Sequence, residues 1–466
     1  MAKPSLVWFR QDLRLSDNAA LSAAAAKGPI IATYILDDET PGPWRMGAAS
    51  LWWLHHSLER LSHELPLVLR RGQIEIALEN LLRETDARSL HFTRGYAPWE
   101  LLLEQRVKAL CDKRGIECHR HGGFLLHEPE TIRNGAGEAY KVYTPFSRAC
   151  FAKGDPPPTR PRPDFEIGPA IASDPLSGWN LLPKSPNWAR DFEKHWQPGE
   201  EGAQASLAKF IDEVLPHYAQ GRDFPGEAFT SRLSPHLHWG EISPRQVWQA
   251  TRQAMGAALG PLDSSGEKFL KEVLWREFSY HLLHQFPELP DQPFRQEFAE
   301  FPWANDEPAS QKWQRGQTGY PIIDAGMREL WATGTMHNRV RMIVASFLVK
   351  DLLIPWQQGA KWFWDTLVDA DIASNSANWQ WVAGCGADAA PYYRIFNPVL
   401  QGRKFDPQGH YVRRWVPELT TVPDSFIHAP WEMPTPPAAY PPPMVDHDKA
   451  RKAAVEALKS IKRPME

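Results

Sequence analysis

Side chains of several chemical types recur at helical spacing between residues 336 and 398. Asn338 and Met342 are four residues apart, so an amide and a polarisable thioether share one face of a helix. Asp369 and Asp371 follow, interleaved with large indoles. Neither a histidine nor a third carboxylate lies at ligand spacing from these acids, so the sequence predicts no metal. The mixture predicts a pocket that buries a polar aromatic cofactor beside a nucleic-acid surface.

Two segments upstream carry groups suited to a nucleotide cofactor. Residues 230–235, with the sequence Thr-Ser-Arg-Leu-Ser-Pro, combine small hydroxyls with the amides that precede a helix. Both kinds of donor suit a diphosphate, although the same segment could be a plain helix cap. Glu272 and Trp275 lie one turn apart on a helical face, where a carboxylate beside an indole could hold and protonate a flat heterocycle. Glu272 and Arg276 could instead form a surface ion pair.

The bulk composition bounds the class of protein. The 466 residues exceed the roughly 250 to 300 at which single cores stop growing, so two domains are expected. The formal net charge of −4 excludes a generally basic nucleic-acid binder but allows a local basic patch. Tryptophan is over-represented, with 21 residues, and the surplus indicates stacking or redox chemistry. The cysteines form no CxxC pair, and no apolar run reaches the roughly 18 residues of a membrane span, so a cytoplasmic protein is expected.

The chain changes its pattern along its length. Helical patterns alternate with five short apolar runs, at residues 6–9, 30–36, 67–69, 89–93 and 116–119. This rhythm predicts an α/β domain with a Rossmann-like, doubly wound parallel sheet, although the first strand is not followed by GxGxxG. Prolines and glycines then indicate a linker, and the remainder is helical almost throughout. The expected organisation is an α/β domain over 1–130, a linker over 131–202 and an all-α domain over 203–466.

Several motifs occur in order along the chain: Val7-Trp8-Phe9-Arg10 with Asp12-Leu13-Arg14, Thr230-Ser231-Arg232-Leu233-Ser234-Pro235, Trp275-Arg276-Glu277-Phe278, Thr318-Gly319-Tyr320-Pro321 with Asp324-Ala325-Gly326-Met327-Arg328, His337-Asn338-Arg339-Val340-Arg341-Met342, and Trp379-Gln380-Trp381 with Asp388-Ala389-Ala390-Pro391. This series resembles the DNA photolyase and cryptochrome family over nearly the whole chain. The resemblance is greatest to bacterial photolyases of classes I and III that act on cyclobutane pyrimidine dimers.

The resemblance implies that a folded FAD is bound in the helical domain. Arg341 with Asp369 and Asp371 would fix the isoalloxazine, and Asn375 would lie against its N5 atom. Repair enzymes of the family carry Asn at this last position, whereas plant and animal signalling cryptochromes more often carry Asp or Cys. Asn338 is assigned to both the cofactor and the lesion. The phosphates and ribityl chain would be held by Tyr218, Thr230, Ser231, Leu233 and Ser234.

The resemblance also implies a pocket for a flipped-out dimer. A base step that contains a dimer is already weakly stacked, so flipping it out costs less than flipping a normal pair. The activity implied is light-driven electron transfer from reduced FAD to the dimer, by an enzyme that is a deoxyribodipyrimidine photo-lyase. A blue-light-sensing flavoprotein without repair activity is the alternative. The pocket would be lined by Glu272, Trp275, Asn338, Met342 and Trp381, and DNA would be bound by Arg222, Trp275, Arg339, Trp381 and Arg394.

Two further features follow from the resemblance. Trp379, Trp356 and Trp303 match the tryptophan chain that carries an electron from the surface to the photoexcited flavin. Glu100 matches a contact of folate-binding relatives in the N-terminal domain. The expected antenna is therefore 5,10-methenyltetrahydrofolate, with a deazaflavin, an FMN or an empty site as alternatives. The expected protein is a monomer that binds DNA without strong sequence preference and does not bind a membrane.

Overall fold

A computed structural model describes residues 3–256, 264–389 and 393–462. Ala390 and Pro391 of the last motif lie outside these residues. The chain divides into two compact units, of which the first comprises residues 1–216, 231–287 and 368–371. The second comprises residues 217–230, 288–367 and 372–466. The division predicted at residues 130 and 202 remains a prediction.

The first unit contains a five-stranded parallel sheet in the order β3-β2-β1-β4-β5. Leu6 in the central strand is in register with Ile31 on one side and Leu90 on the other. Successive residues of that strand enter two different hydrophobic cores, one on each face, as expected of a parallel sheet covered on both sides. The predicted parallel sheet is confirmed. Its strands are β1 (Ser5–Phe9), β2 (Ile30–Leu36), β3 (Leu67–Arg71), β4 (Ser89–Thr93) and β5 (Glu117–His121).

The helices of the first unit connect the strands and then extend beyond the sheet. In chain order they are α1 (Ala19–Ala25), α2 (Ala48–Glu64), α3 (Ile74–Thr85), α4 (Pro98–Arg114), α5 (Tyr143–Ala152) and α6 (Glu200–Lys209). After α7 (Tyr218–Gly221), which belongs to the second unit, follow α8 (Ser234–His238), α9 (Pro244–Ala254) and α10 (Ser264–Gln285).

The second unit is built from helices. They are α11 (Glu307–Gln314), α12 (Pro321–Thr333), α13 (Asn338–Ser346), α14 (Trp356–Thr366), α15 (Ile372–Ala383), α16 (Pro398–Phe405), α17 (His410–Trp415) and α18 (His447–Lys462). A π-helical turn at Phe347–Asp351 directly extends α13. The predicted fold class, α/β followed by all-α, is confirmed. In the part of the chain that the structure describes, no helix is both long and apolar enough to cross a membrane.

Candidate functional site

Helix α8 and the segment 368–371 bring two of the predicted cofactor-binding groups together in the first unit. The hydroxyl of Ser234 donates a hydrogen bond to Oδ2 of Asp369 at 2.6 Å. Just before the helix, the amide of buried Leu233 donates to Oγ of Ser231 at 3.4 Å. A hydroxyl and a nearly buried carboxylate therefore lie side by side, and both can bind polar groups of a ribose or a flavin ring.

Asp371 is held as an anion by donors of the first unit. The hydroxyl of Tyr280 donates to it, and Nδ1 of His238 lies 3.5 Å from its Oδ2. Burial opposes ionisation, but the neighbouring His238, the charge of Arg276 and the hydrogen bond from Tyr280 together lower the pKa of Asp371 to about 2. Asp371 is therefore ionised at neutral pH, and it can accept from a ring N–H or balance a guanidinium.

The indole of Trp275 on α10 is half-buried and fixed by a stacked neighbour. Its ring lies 3.6 Å from the ring of Tyr143, centroid to centroid, at an interplanar angle of 7°. The hydroxyl of Tyr143 donates to a backbone carbonyl of α10 at 2.5 Å, which locks the stack onto the helix. Glu272, one turn earlier, is also half-buried. The helix thus presents an indole of fixed orientation next to a partly accessible carboxylate.

The first five residues of α13 include four of the predicted site residues. Nδ1 of His337 caps the helix by accepting from the amide of Arg339 at 3.2 Å. The guanidinium of Arg341 donates through Nε to the carbonyl just before His337, at 2.8 Å. Asn338 is exposed, and the sulfur of half-buried Met342 lies 3.8 Å from Nη1 of Arg339. The amide and the thioether are one turn apart, in agreement with their spacing in the sequence.

Two of the arginines predicted to contact DNA approach one acid. Nη2 of Arg339 donates to Oδ1 of Asp223 at 2.9 Å, and Nε of Arg222 lies 3.9 Å from the same oxygen. The side chain of Arg222 is only 11% exposed and that of Arg339 is 21% exposed. Arg222 also lies over the ring of buried Tyr218, and Thr230 is half-buried in the same unit. These guanidinium groups are therefore partly covered and oriented by protein contacts.

Helix α15 contains the Trp-Gln-Trp sequence, in which the first two side chains are buried and the third is half-buried. Trp379 is buried, whereas Trp381 is half-buried and its indole donates to the carbonyl of Asp388 at 3.1 Å. Between them, Nε2 of Gln380 donates to two backbone carbonyls, at 2.7 and 2.8 Å. The amide of Asn375 donates to the carbonyl of Ala360 at 3.0 Å, which ties α15 to α14.

The three indoles predicted to relay electrons differ in exposure. Trp356 and Trp379 are buried, whereas Trp303 is half-buried and packs against Phe301 with ring centroids 4.3 Å apart. Trp379 packs edge-on against Phe363 at 5.0 Å. All three indoles belong to the second unit. The set therefore includes interior rings and one ring that reaches the surface.

Arg394 is exposed, and its backbone is anchored by a buried cation. The ammonium of Lys350 donates to the carbonyl of Arg394 and lies 4.5 Å from the centroid of the Tyr393 ring. Lys350 is 3% exposed and lies on the π-helical turn. Burial, only partly offset by Asp351, lowers the pKa of Lys350 to about 7.

Glu100, the predicted antenna contact, is engaged within the first unit. Its carboxylate accepts from the amides of Tyr96 and Ala97 at 2.9 and 3.0 Å, which caps α4. It also accepts from Arg10 at 2.6 Å, and Arg10 binds Glu104 at the same distance. Arg10 stands directly after β1, where a dinucleotide-binding fold has its glycine-rich loop.

Several residues of these sites were not predicted from the sequence, among them Tyr143, Asp223, His238, Tyr280, Lys350 and Gln380. Gln380 could have been noticed, because an amide between two indoles within a helical pattern is unusual in a core. The others carry no local signal. Each acts through a partner distant in the sequence, as Tyr143 does through Trp275.

Two segments of the chain match known families. Residues 5–164 match DNA photolyase, and residues 269–460 match the FAD binding domain of DNA photolyase. The chain belongs to the DNA photolyase family. This family member is 49% identical to the deoxyribodipyrimidine photo-lyase of Agrobacterium fabrum, over 99% of this chain and 98% of that relative.

The same family member is also similar to a cryptochrome and to a solved photolyase. It is 37% identical to Cryptochrome-1 of Arabidopsis thaliana, over 98% of this chain and 70% of that relative. The crystal structure of a bacterial class III photolyase from Agrobacterium tumefaciens superposes with a TM-score of 0.95 at 48% identity, covering 100% of this chain and 98% of that one. The predicted family and the FAD-binding domain of this photolyase family member are confirmed.

Proposed function

We propose that this protein repairs cyclobutane pyrimidine dimers in DNA by light-driven electron transfer from reduced FAD to a flipped-out dimer. The observation that carries the proposal is the half-buried indole of Trp275, held flat by its stack on Tyr143. An indole of fixed orientation with accessible surface suits the stacking of an unpaired base. Asn338 and Met342, one turn apart at the start of α13, supply the amide and thioether of a lesion pocket.

The donor chemistry of the described residues fits FAD. Ionised Asp371 and the Asp369 carboxylate can accept from ring N–H groups or balance Arg341, and hydroxyls suit a diphosphate and a ribityl chain. When bound and reduced, FAD supplies the electron that light transfers to the dimer. The residues proposed to hold it are Tyr218, Thr230, Ser231, Leu233, Ser234, Asn338, Arg341, Asp369, Asp371 and Asn375.

The side chains around the lesion would orient it and exclude water. Trp275 and Trp381 would stack on the flipped-out pair, and Glu272 would donate a hydrogen bond or a proton to a carbonyl of the reduced dimer. Two carbon–carbon bonds of the cyclobutane ring would then break. The electron would return, together with any proton that Glu272 had donated, so the reaction has no net oxidation and consumes no proton. Arg222, Arg339 and Arg394 would bind the phosphates and set affinity without strong sequence preference.

The proposal is tested by illuminating the reduced holoprotein with a dimer-containing oligonucleotide and following recovery of the thymine absorbance. We expect recovery by the wild type. Trp275→Ala should lose about 1–3 kcal/mol of stacking, which weakens dimer binding by about 5- to 150-fold. Trp331→Phe, a change in the 51% exposed indole of α12, is the matched control and should bind as the wild type does. Dimer binding and repair by Trp275→Ala at wild-type levels would contradict the pocket.

A blue-light-sensing flavoprotein without repair activity is the second candidate. The similarity to Cryptochrome-1 over 98% of this chain favours it. It predicts flavin photochemistry without recovery of thymine absorbance. Asn375 favours repair, because its amide can approach a reduced ring as a neutral hydrogen-bonding group.

Three further assignments complete the proposal. Trp379, Trp356 and Trp303 would relay an electron to the flavin, since their rings range from buried to half-exposed. The antenna would be 5,10-methenyltetrahydrofolate near Glu100, and mass spectrometry of the released pigment distinguishes it from a deazaflavin or FMN. The protein would be a cytoplasmic monomer, and light scattering tests its oligomeric state.

A further inference from the structure

Asp223 lies just past α7 in the second unit and faces two guanidinium groups. Its Oδ1 accepts from Nη2 of Arg339 at 2.9 Å and lies 3.9 Å from Nε of Arg222. The Asp223 side chain is 33% exposed, whereas the two arginines are 21% and 11% exposed. An acid therefore lies among the cations that would meet DNA phosphates, where it lowers their combined charge by one.

Arg339 is held in one orientation before any ligand binds. Its amide donates to Nδ1 of His337, and its guanidinium lies 4.5 Å from the centroid of the Phe405 ring. Nη1 contacts the sulfur of Met342 at 3.8 Å. The ion pair with Asp223 thus completes a set of contacts that orients Arg339 beside the proposed lesion pocket, which lowers the conformational entropy that a bound ligand must remove.

The lowered positive charge and the fixed orientation of Arg339 would act differently on undamaged DNA and on dimer-containing DNA. Binding of undamaged DNA depends on how many phosphates are neutralised, so an acid among the cations weakens it. Binding of a dimer against Asn338 and Met342 would need one orientation of Arg339 relative to them, so the same acid would support it. Asp223 would thereby trade general affinity for discrimination.

We propose that Asp223 is a specificity-determining, positioning residue, which raises the preference of the protein for dimer-containing over undamaged DNA through its ion pair with Arg339. The inference rests on the proposed function, because it requires that the second unit meets DNA at this arginine pair. Asp223 would act through the arginines and contact neither the lesion nor the cofactor.

The test measures the dissociation constants of reduced protein in the dark for two oligonucleotides of one sequence, with and without a dimer, over a series of salt concentrations. Asp223→Asn should tighten binding of undamaged DNA and steepen its salt dependence by about 0.9 in log–log slope. It should also weaken binding of the dimer. The dissociation constant for undamaged DNA divided by that for dimer-containing DNA should therefore fall by about tenfold. Asp223→Glu keeps the charge and should restore most of the ratio.

Two variants separate this role from general charge and from folding. Asp424→Asn removes the acid of an equivalent pair, in which Oδ1 accepts from Nη2 of Arg413 at 2.7 Å, and it should leave the ratio unchanged. In an Arg339→Gln background, Asp223→Asn should no longer alter the ratio, because the partner is gone. Asp223→Asn should retain bound flavin and the wild-type unfolding temperature.

The outcomes distinguish the inference from the function on which it rests. A wild type without preference for the dimer would overturn the proposed function and the inference with it. A wild type that prefers the dimer, with Asp223→Asn changing both constants by the same factor, would overturn the inference alone. An equal loss of ratio in Asp424→Asn, or a loss that persists in the Arg339→Gln background, would also overturn it.

Discussion

At the scale of single residues, the position of Trp379 depends on the lack of a side chain at Gly359. A Cβ placed on Gly359 would lie 2.1 Å from Cη2 of Trp379 and 2.7 Å from Cδ2 of Leu348. Real Cβ atoms do not approach other atoms so closely, so a side chain there must displace the indole or the helix. One of the two interior members of the proposed electron relay is therefore held in place by a glycine that carries no chemistry.

Gly359→Ala tests this dependence. We expect a loss of about 1–3 kcal/mol in the free energy of unfolding, because the added methyl group overpacks the interface between α14 and α15. Displacing Trp379 should also slow the photoreduction of oxidised FAD several-fold, as measured by flash spectroscopy, while enzyme reduced beforehand repairs normally.

Gly402→Ala on α16 is a matched control for Gly359→Ala, since its Cβ would lie 2.3 Å from Nδ1 of His428. It should destabilise the protein without slowing photoreduction. If Gly359→Ala photoreduces at the wild-type rate although it is destabilised, Trp379 is not on the dominant route.

Sequence reasoning at this scale is limited by partners that are distant along the chain. The helical spacing of Asn338 and Met342 was sufficient to predict that they lie one turn apart. The stack of Trp275 on Tyr143 and the anionic state of Asp371 depend on residues far from them in sequence, so no local pattern indicates either. The same holds for the steric requirement at Gly359.

At the scale of secondary-structure elements, three consecutive side chains of α10 lie in different surroundings. Trp275 stacks on Tyr143, whereas Arg276 lies over the Phe124 ring at 4.2 Å and donates to the carbonyl of that residue. Glu277 is buried and accepts from the amides of Leu126 and His127 at 2.9 and 3.1 Å. The helix that presents the proposed lesion-stacking indole thus also anchors the chain after β5.

The buried carboxyl of Glu277 should make stability depend on pH. Burial, only partly offset by Arg276 and by the two amides, raises the pKa of Glu277 to about 7, above the ordinary value of 4.5. The folded state therefore binds more protons than the unfolded state between these values. The contribution of this group to stability is fully present below pH 4.5 and is lost as the pH rises towards 7.

Glu277→Gln removes this titration and keeps an oxygen that can accept from the same amides. Relative to the wild type, the free energy of unfolding of the variant should rise by about 3 kcal/mol between pH 4.5 and 7. Denaturant titrations of both proteins at several pH values measure this difference in the free energy of unfolding. Groups that titrate in both proteins contribute equally and cancel from it. A difference that does not change with pH would mean that Glu277 titrates normally.

The elements themselves were largely predictable. The five strands could be predicted from short apolar runs, because the inner strands of a parallel sheet are buried on both faces. Helices of four or five residues, such as α7 and α8, leave too short a pattern to detect. The π-helical turn at Phe347–Asp351 is likewise indistinguishable in the sequence from a continuation of α13.

At the scale of the whole molecule, the chain returns to its first unit after leaving it. Residues 231–287 and 368–371 belong to that unit although the residues around them belong to the second. Composition distinguishes the proline-rich segment from the helical remainder, but it carries no signal for such returns. The segment 368–371 is held in the first unit by the indole of Trp239, which donates to the carbonyl of Val368 at 3.1 Å.

The formal net charge of −4 requires that any attraction to DNA comes from local cations. Each phosphate neutralised should contribute about −0.9 to the slope of log binding constant against log salt. Arg394→Ala removes an exposed cation while its carbonyl remains available to Lys350, so the backbone there should stay in place. We expect the slope to become shallower by about 0.9, with dimer-containing and undamaged DNA weakened by similar factors, because phosphate contacts carry no sequence information.

The control for Arg394→Ala is Arg162→Ala, which removes a half-exposed arginine of the first unit that pairs with Glu64 at 2.7 Å. Its slope should match the wild type, because the proposed DNA contacts do not include it. Fluorescence anisotropy of labelled oligonucleotides over a salt series measures each slope. A wild-type slope near zero would mean that binding neutralises no phosphates. Equal changes in both variants would mean that binding follows the overall charge of the protein. A slope change confined to Arg394→Ala would place the electrostatic contact at this segment, whose backbone is anchored by a buried lysine.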